Sequence, residues 1–260
     1  MTIEKNLQPT EKSTFTSNLS NKDKGESKMN SIQKTARFAG FLYLLIAIIG
    51  GFSILYVSST LIVSGDATIT ANNIMASEGL FRLGSVSGLI TQTIQILLVL
   101  VLYKLLKPVS KNYASLMVVF SLVGIPIAML NQLNQFAALQ LLNGSNYLTV
   151  FTADQLDALA MFFLELFDNG ILIATIFWGL WLLPLGYLVY KSGFLPRILG
   201  ILLIIGGLGY LIDFLTSALF PNFNVTISEF TFLGELLLTL WLLIKGVNIE
   251  EWKKRALASD

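Results

Sequence analysis

Glu235 is the ionisable residue that lies deepest within an apolar stretch of this chain, and few residues could act with it. Depth follows from counting 1.5 Å per helical residue from the basic residue at the inner end of each apolar segment. On that count Glu235 lies about 15 Å above Lys245, and Gln92 and Gln95 lie about 18 and 14 Å above Lys104. All three are near the middle of a hydrocarbon core about 30 Å thick. Asp213 is about 24 Å above Arg197, while Asp168, Arg82 and Asn131 fall at about 30–35 Å, the outer boundary. Glu165 is higher still and meets water.

A charge at mid-bilayer costs about 2.5–3.5 kcal/mol on insertion scales, so such residues face the bundle or a cavity. The gradation predicts a polar route, wide at the outer face and narrowing to Glu235 and two glutamines. The expected ligand or proton pocket comprises Glu235, Asp213, Gln92, Gln95 and Asn131, with Arg82 and Asp168 paired at its mouth. The competing interpretation has the glutamines and Glu235 hydrogen-bonding across helices and merely holding the bundle together. Arg82 and Asp168 are then an interfacial pair worth little. For the run Asn131-Gln132-Leu133-Asn134-Gln135, water and headgroups at the interface are the expected partners.

The absences are as useful. The chain has no Cys and no His, which excludes disulfides, thiolate or imidazole metal sites and the usual nucleophile–base pairs of hydrolases. No metal and no cofactor is expected. Two embedded aspartates suggest an intramembrane aspartyl protease, but the Gly-x-Gly-Asp pattern is missing, since Gly207-Leu208-Gly209 is followed by Tyr210. Asn143-Gly144-Ser145 and Asn224-Val225-Thr226 match the glycosylation triplet, a short pattern that arises by chance.

The elements that must position these residues are membrane spans. Apolar residues are 54% and charged residues 13% of the chain, against about 25% charged in soluble domains. Mean hydropathy is +0.71. Six apolar segments are legible: Phe38–Ser58, Leu83–Tyr103, Ala114–Asn134, Asn169–Val189, Ile198–Ala218 and Thr226–Gly246. Numbering the intervening loops alternately puts all but Arg82 of the 17 Lys and Arg on one side. Cytoplasmic loops retain Lys and Arg, so this partition predicts six crossings with both termini in the cytoplasm. The basic residues sit beside spans and face anionic headgroups, so no nucleic-acid partner is implied.

The expected fold is therefore all-α, a six-span transmembrane bundle in a bacterial cell membrane. Residues 1–31 read as a disordered polar tail, 32–247 as the membrane domain and 248–260 as a short interfacial helix. Met29 is an alternative start. Pro126 falls inside the third span and is expected to kink it. Asp154 is a candidate N-cap for an amphipathic lead-in before the fourth span. Gly84-x-x-x-Gly88 and Ala36-x-x-x-Gly40 suit close helix contact, within one chain or between two, so the oligomeric state stays open. The glycines after Arg37 and after Arg197 echo one another, more as convergence than as a true repeat.

Three segments carry a resemblance: Arg37-Phe38-Ala39-Gly40-Phe41-Leu42-Tyr43-Leu44, Phe81-Arg82-Leu83-Gly84, and the stretch from Pro184 to Gly200 containing Lys191-Ser192-Gly193-Phe194-Leu195-Pro196-Arg197. Together they resemble the multi-pass bacterial membrane proteins of domain of unknown function family 4386, over roughly residues 33–246. The resemblance implies a membrane protein without an assigned activity, and no site residue follows from it. The residues themselves point first to binding or moving a small solute or proton through an outward-facing pocket. The alternative is an accessory or stress-related membrane protein acting through helix or lipid contacts, and the third is an intramembrane enzyme using carboxylates.

Overall fold

In the computed structural model, residues 31–220 and 226–258 are described, and they are helical with no strand among them. The predicted tail up to residue 30 and the Asn224-Val225-Thr226 triplet fall, wholly or in part, outside the described residues. Eight helices follow in order: α1 Ser31–Leu61, α2 Ala67–Ala76, α3 Glu78–Leu106, α4 Lys111–Leu142, α5 Ala153–Ser192, α6 Arg197–Leu219, α7 Ser228–Ile244 and α8 Ile249–Ala258. Five of them, α1, α3, α4, α5 and α6, are each long and apolar enough to cross a membrane. A sixth is reached if α7 and α8, bent by 103° at the break between them, are taken together as one broken span. Large apolar side chains such as Ile48, Leu83, Leu130, Ile198 and Ile244 are exposed around the bundle. A water-soluble chain rarely leaves so many such residues uncovered, whereas lipid tails cover them without cost.

Close helix contact is made by glycine, because packing in lipid depends on shape rather than on water exclusion. The antiparallel pair α5 and α6 meets twice, at Gly179 against Gly207 and at Gly186 against Gly200. A Cβ on Gly179 or Gly186 would stand 2.7 Å from the opposite glycine's carbonyl oxygen. Gly40 of α1 leaves no space for a side chain beside Leu242 and Leu243 of α7, and Gly234 of α7 lies against the backbone of Leu202 in α6. The two glycine sets that echo in sequence do different work. Gly51 borders open space, whereas Gly207 is wedged against α5.

Two apolar clusters fill the bundle. The larger lies toward the end carrying both described termini and includes Ala36, Leu98, Leu102, Met117, Leu185, Leu203 and Leu242. The smaller, at the opposite end, joins Val57, Leu61, Ile74, Phe81, Leu139 and Leu164. Here the structure departs from the sequence reading. The lead-in before the fourth span is the first part of one continuous 40-residue helix, α5, which buries Ala160 and Leu164 in this cluster. At 1.5 Å per residue that helix is about 60 Å long and extends well past a hydrocarbon core. Its N-cap is Thr152, not Asp154. Thr152 accepts from Gln155 N while Gln155 Oε1 accepts from Thr152 N, a reciprocal capping box.

At the terminal end, the Lys-Ser-Gly-Phe-Leu-Pro-Arg loop docks the end of the chain. Gly193 adopts φ +77°, a left-handed conformation that ends α5 at no steric cost. Ser192 Oγ accepts from Leu195 N, and the Phe194 carbonyl accepts from Asn248 N. Asn248 Oδ1 caps α8 through Glu250 N and Glu251 N. Trp252 of α8 is buried, and its indole N–H donates to the Leu105 carbonyl at 2.8 Å.

Candidate functional site

The residues expected to form one polar route are found in three separate places. The first is a cavity of about 220 Å3 bordered by five helices, α1, α3, α5, α6 and α7. Glu235 of α7 and both Gln92 and Gln95 of α3 line it. The structure therefore places these three polar residues around one cavity. Their hydrogen bonds differ from expectation. Glu235 is held by two tyrosines and not by the glutamines: Tyr43 Oη donates to Oε2 at 3.0 Å and Tyr210 Oη to Oε1 at 3.3 Å. Gln95 instead donates to Ser121 Oγ of α4 at 3.3 Å.

Local sequence explains why these phenols reach the carboxyl. Gly40 lets α1 approach α7 closely, and Tyr43 follows it by nearly one turn on the same helix. Gly206 and Gly209 of α6 lie against Thr231 of α7, which brings Tyr210 to the same carboxyl from the other side. Trp181 packs beside Tyr43, with ring centroids 6.1 Å apart, and Trp178 meets Tyr210 edge-on at 6.4 Å. Both tryptophans line the cavity. Its far end is bordered by Gly50, Gly51 and Ile54 of α1, where Phe52–Val57 widens into a π-helix. Such one-turn widenings recur at functional sites because they displace side chains and free a backbone group from the regular ladder.

The second place is the junction of α6 and α7. Asp213 is buried and its two carboxylate oxygens accept from Ile227 N at 2.6 Å and from Ser228 N at 2.8 Å. Those amides are at the N-cap and the first residue of α7, where the helix has no partner of its own to offer them. Asp213 is thus a cap supplied by a neighbouring helix, and it is not a member of the pocket.

The third place lies between α3, α4 and α5. Asn131, Gln132 and Gln135 are buried, so the expectation that this run faces water and headgroups is corrected. Asn131 Nδ2 donates to the Phe167 carbonyl at 2.7 Å, its Oδ1 accepts from Asn134, and Ser85 Oγ donates to Gln135 Oε1 at 2.7 Å. Gly170 makes room for the Asn131 amide and Gly88 for that of Gln132. Among the described residues, Gln132 Oε1 is the buried side-chain atom without a partner. The predicted mouth pair is absent as well. Arg82 binds Glu78 one turn away at 2.6 Å, an exposed contact within α3, and Asp168 stands exposed on α5. An i,i+4 partner needs no change of helix, so it is met before a residue on another span.

Sequence reading missed Tyr43, Tyr210, Trp178 and Trp181. A signal was present: Tyr and Trp concentrate at membrane interfaces. Tyr43 stands about 9 Å beyond Arg37 and Tyr210 about 20 Å beyond Arg197, both inside the apolar layer. A hydroxyl at that depth requires a partner. Among the described residues no group of three or more His, Cys, Asp or Glu could hold a metal ion.

Comparison with other proteins shows a family and adds no chemistry. An uncharacterized protein of Archaeoglobus fulgidus is 37% identical over 152 residues, covering 58% of this chain and 75% of that protein. No solved structure matches the chain. The family described as domain of unknown function (DUF4386) matches residues 38–246, and the chain, an integral membrane protein, belongs to that family.

Proposed function

We propose that this protein binds a small solute or proton in the Glu235 cavity and passes it toward the face opposite its termini. The observation that carries this reading is a cavity of about 220 Å3 holding a carboxyl whose described partners are two phenols and no cation. A structural carboxyl in a membrane bundle is better served by tight packing or a basic partner, because water left beside it weakens the helix contact. The one-sided distribution of Lys and Arg supports cytoplasmic termini and, with them, a pocket that faces outward. The alternative, an accessory membrane protein with no ligand, draws its support from the fully packed cluster around Leu98, Leu102 and Leu185.

Cysteine chemistry tests the reading directly, since the chain has no cysteine of its own. A Cβ at Gly51 meets nothing within 4 Å, so Gly51→Cys fits without distortion. In oriented cells, a membrane-impermeant thiol reagent applied outside is expected to modify Gly51→Cys, and also single cysteines at Ser64 and Asn143. It should leave Ser110→Cys and Lys191→Cys untouched. Ser192 is unsuited as a probe because it is fully buried. Gly51→Cys that resists the reagent from both sides, with Ser64→Cys reactive, would remove the water-connected pocket. Reactivity at Lys191→Cys from outside would reverse the orientation.

A further inference from the structure

We infer that the ligand of this cavity is a small organic cation, an amine or quaternary ammonium, taken up by Glu235 within a cage of two tyrosines and two tryptophans. This deepens the pocket reading above and rests on it. The carboxyl is flanked symmetrically, with Tyr43 and Trp181 forming one ring pair on the side of Oε2, and Tyr210 and Trp178 the other on the side of Oε1. A phenol that donates its proton toward a carboxylate carries a more electron-rich ring. Such rings attract a cation through their negative faces, most strongly when water is kept away.

The cavity's charge balance points the same way. No Lys or Arg lines it, and the two ion pairs among the described residues, Arg82–Glu78 and Lys254–Glu251, are both elsewhere. An ionised Glu235 therefore lacks a protein counterion, and the cavity excludes anions. Hard metal ions are served poorly, because they favour six or more oxygen ligands. Here the phenol protons already point at the carboxylate, and Gln95 is turned to Ser121. The remaining wall is carbon, including Ile46, Ala47 and Ile54, which suits methyl or methylene groups around a nitrogen. A volume of about 220 Å3 is below the range of about 300–1,000 Å3 for drug-sized ligands, so the cation is a small one.

The test uses the full-length protein, purified in detergent, and follows its tryptophan fluorescence. Two of its four tryptophans are in the cage. Tetramethylammonium is expected to give a saturable change, while tert-butanol, which has a similar apolar shape without charge, gives none. Glu235→Gln and Trp181→Leu should each weaken tetramethylammonium at least tenfold, and Trp181→Phe, which keeps a ring, should weaken it less than Trp181→Leu. Thermal melting of each variant, matched to the parent, confirms that the loss is local. Equal responses to tetramethylammonium and tert-butanol, a response unchanged in Glu235→Gln, or tighter binding of sodium or magnesium would each overturn the proposal. If Gly51→Cys is still modified from outside while tetramethylammonium fails, the ligand class is wrong and the pocket stands. If Gly51→Cys is unreactive from both sides, the pocket itself falls.

Discussion

Two groups of polar residues, one buried and one half-buried, sit inside the same bundle, and they are built on opposite plans. Between α3, α4 and α5, the amides of Asn131 and Gln135 bind a backbone carbonyl and a serine hydroxyl, while Gly170 closes on Asn131 and Gly88 on Gln132. Around Glu235, the carboxyl and Gln92 border open volume, and the glycine beside them, Gly51, touches nothing. Amides within hydrocarbon are therefore of two kinds. Where neighbouring glycines close on the side chain and its donors reach backbone, the group holds helices together, a contribution that averages about 0.6 kcal/mol per contact in membrane proteins. Where polar atoms and large rings surround volume that the chain leaves unfilled, the group is available to something else.

Substitutions can break this contrast in either direction. The largest effect is expected at Gly170. Leucine there drives into Asn131 at a helix contact with no slack, and overpacking of this kind costs about 1–3 kcal/mol or more. The expected result is a marked fall in melting temperature and in the yield of monodisperse protein, against almost no change for Gly51→Ala, which adds a methyl group to open space. Equal losses at the two glycines would erase the distinction between closed and open clusters.

A smaller but sharper effect separates the two deep acids. Asp213→Ala leaves the Ile227 and Ser228 amides without their acceptor and should cost about 0.5–2 kcal/mol, the range for losing a helix cap. Its tetramethylammonium affinity should stay within a factor of two of the parent. Glu235→Gln is expected to do the reverse, with melting nearly unchanged and affinity lost, since the amide keeps the size and one acceptor for the phenols. Denaturant-induced unfolding in detergent, paired with the fluorescence titration, decides the matter. Identical behaviour of the two variants would mean that Glu235, like Asp213, is structural.

The smallest effect belongs to the position that looked most like a pocket mouth. Arg82→Gln removes an exposed i,i+4 contact with Glu78, a type of pair that contributes little to stability. Stability and ligand affinity should both be nearly indistinguishable from the parent. A tenfold loss of affinity in Arg82→Gln would bring the mouth back into the site and would require the cavity to extend to the end of α3.

The chain's one-dimensional pattern determined a great deal. Long apolar runs separated by basic residues leave a chain no alternative but helices across a membrane, because every backbone polar group in hydrocarbon must be satisfied within its own segment. Depth was legible too, since a helix converts residue count into height, and so Glu235, Gln92 and Gln95 could be put at one level before any contact was known. Height, however, does not fix azimuth. Asp213 and Tyr210 lie only three residues apart on α6, yet one caps the first turn of α7 while the other reaches the carboxyl of Glu235. Asn131 and Gln95 are both amides within spans, yet one is locked to a backbone carbonyl and the other borders a cavity. Which way each side chain faces depends on how the helices are rotated against one another. That rotation is set by glycine contacts such as Gly40 with Leu243 and Gly179 with Gly207, made between residues far apart in the chain. Only the packed bundle could decide which polar residues hold it together and which surround the space at its centre.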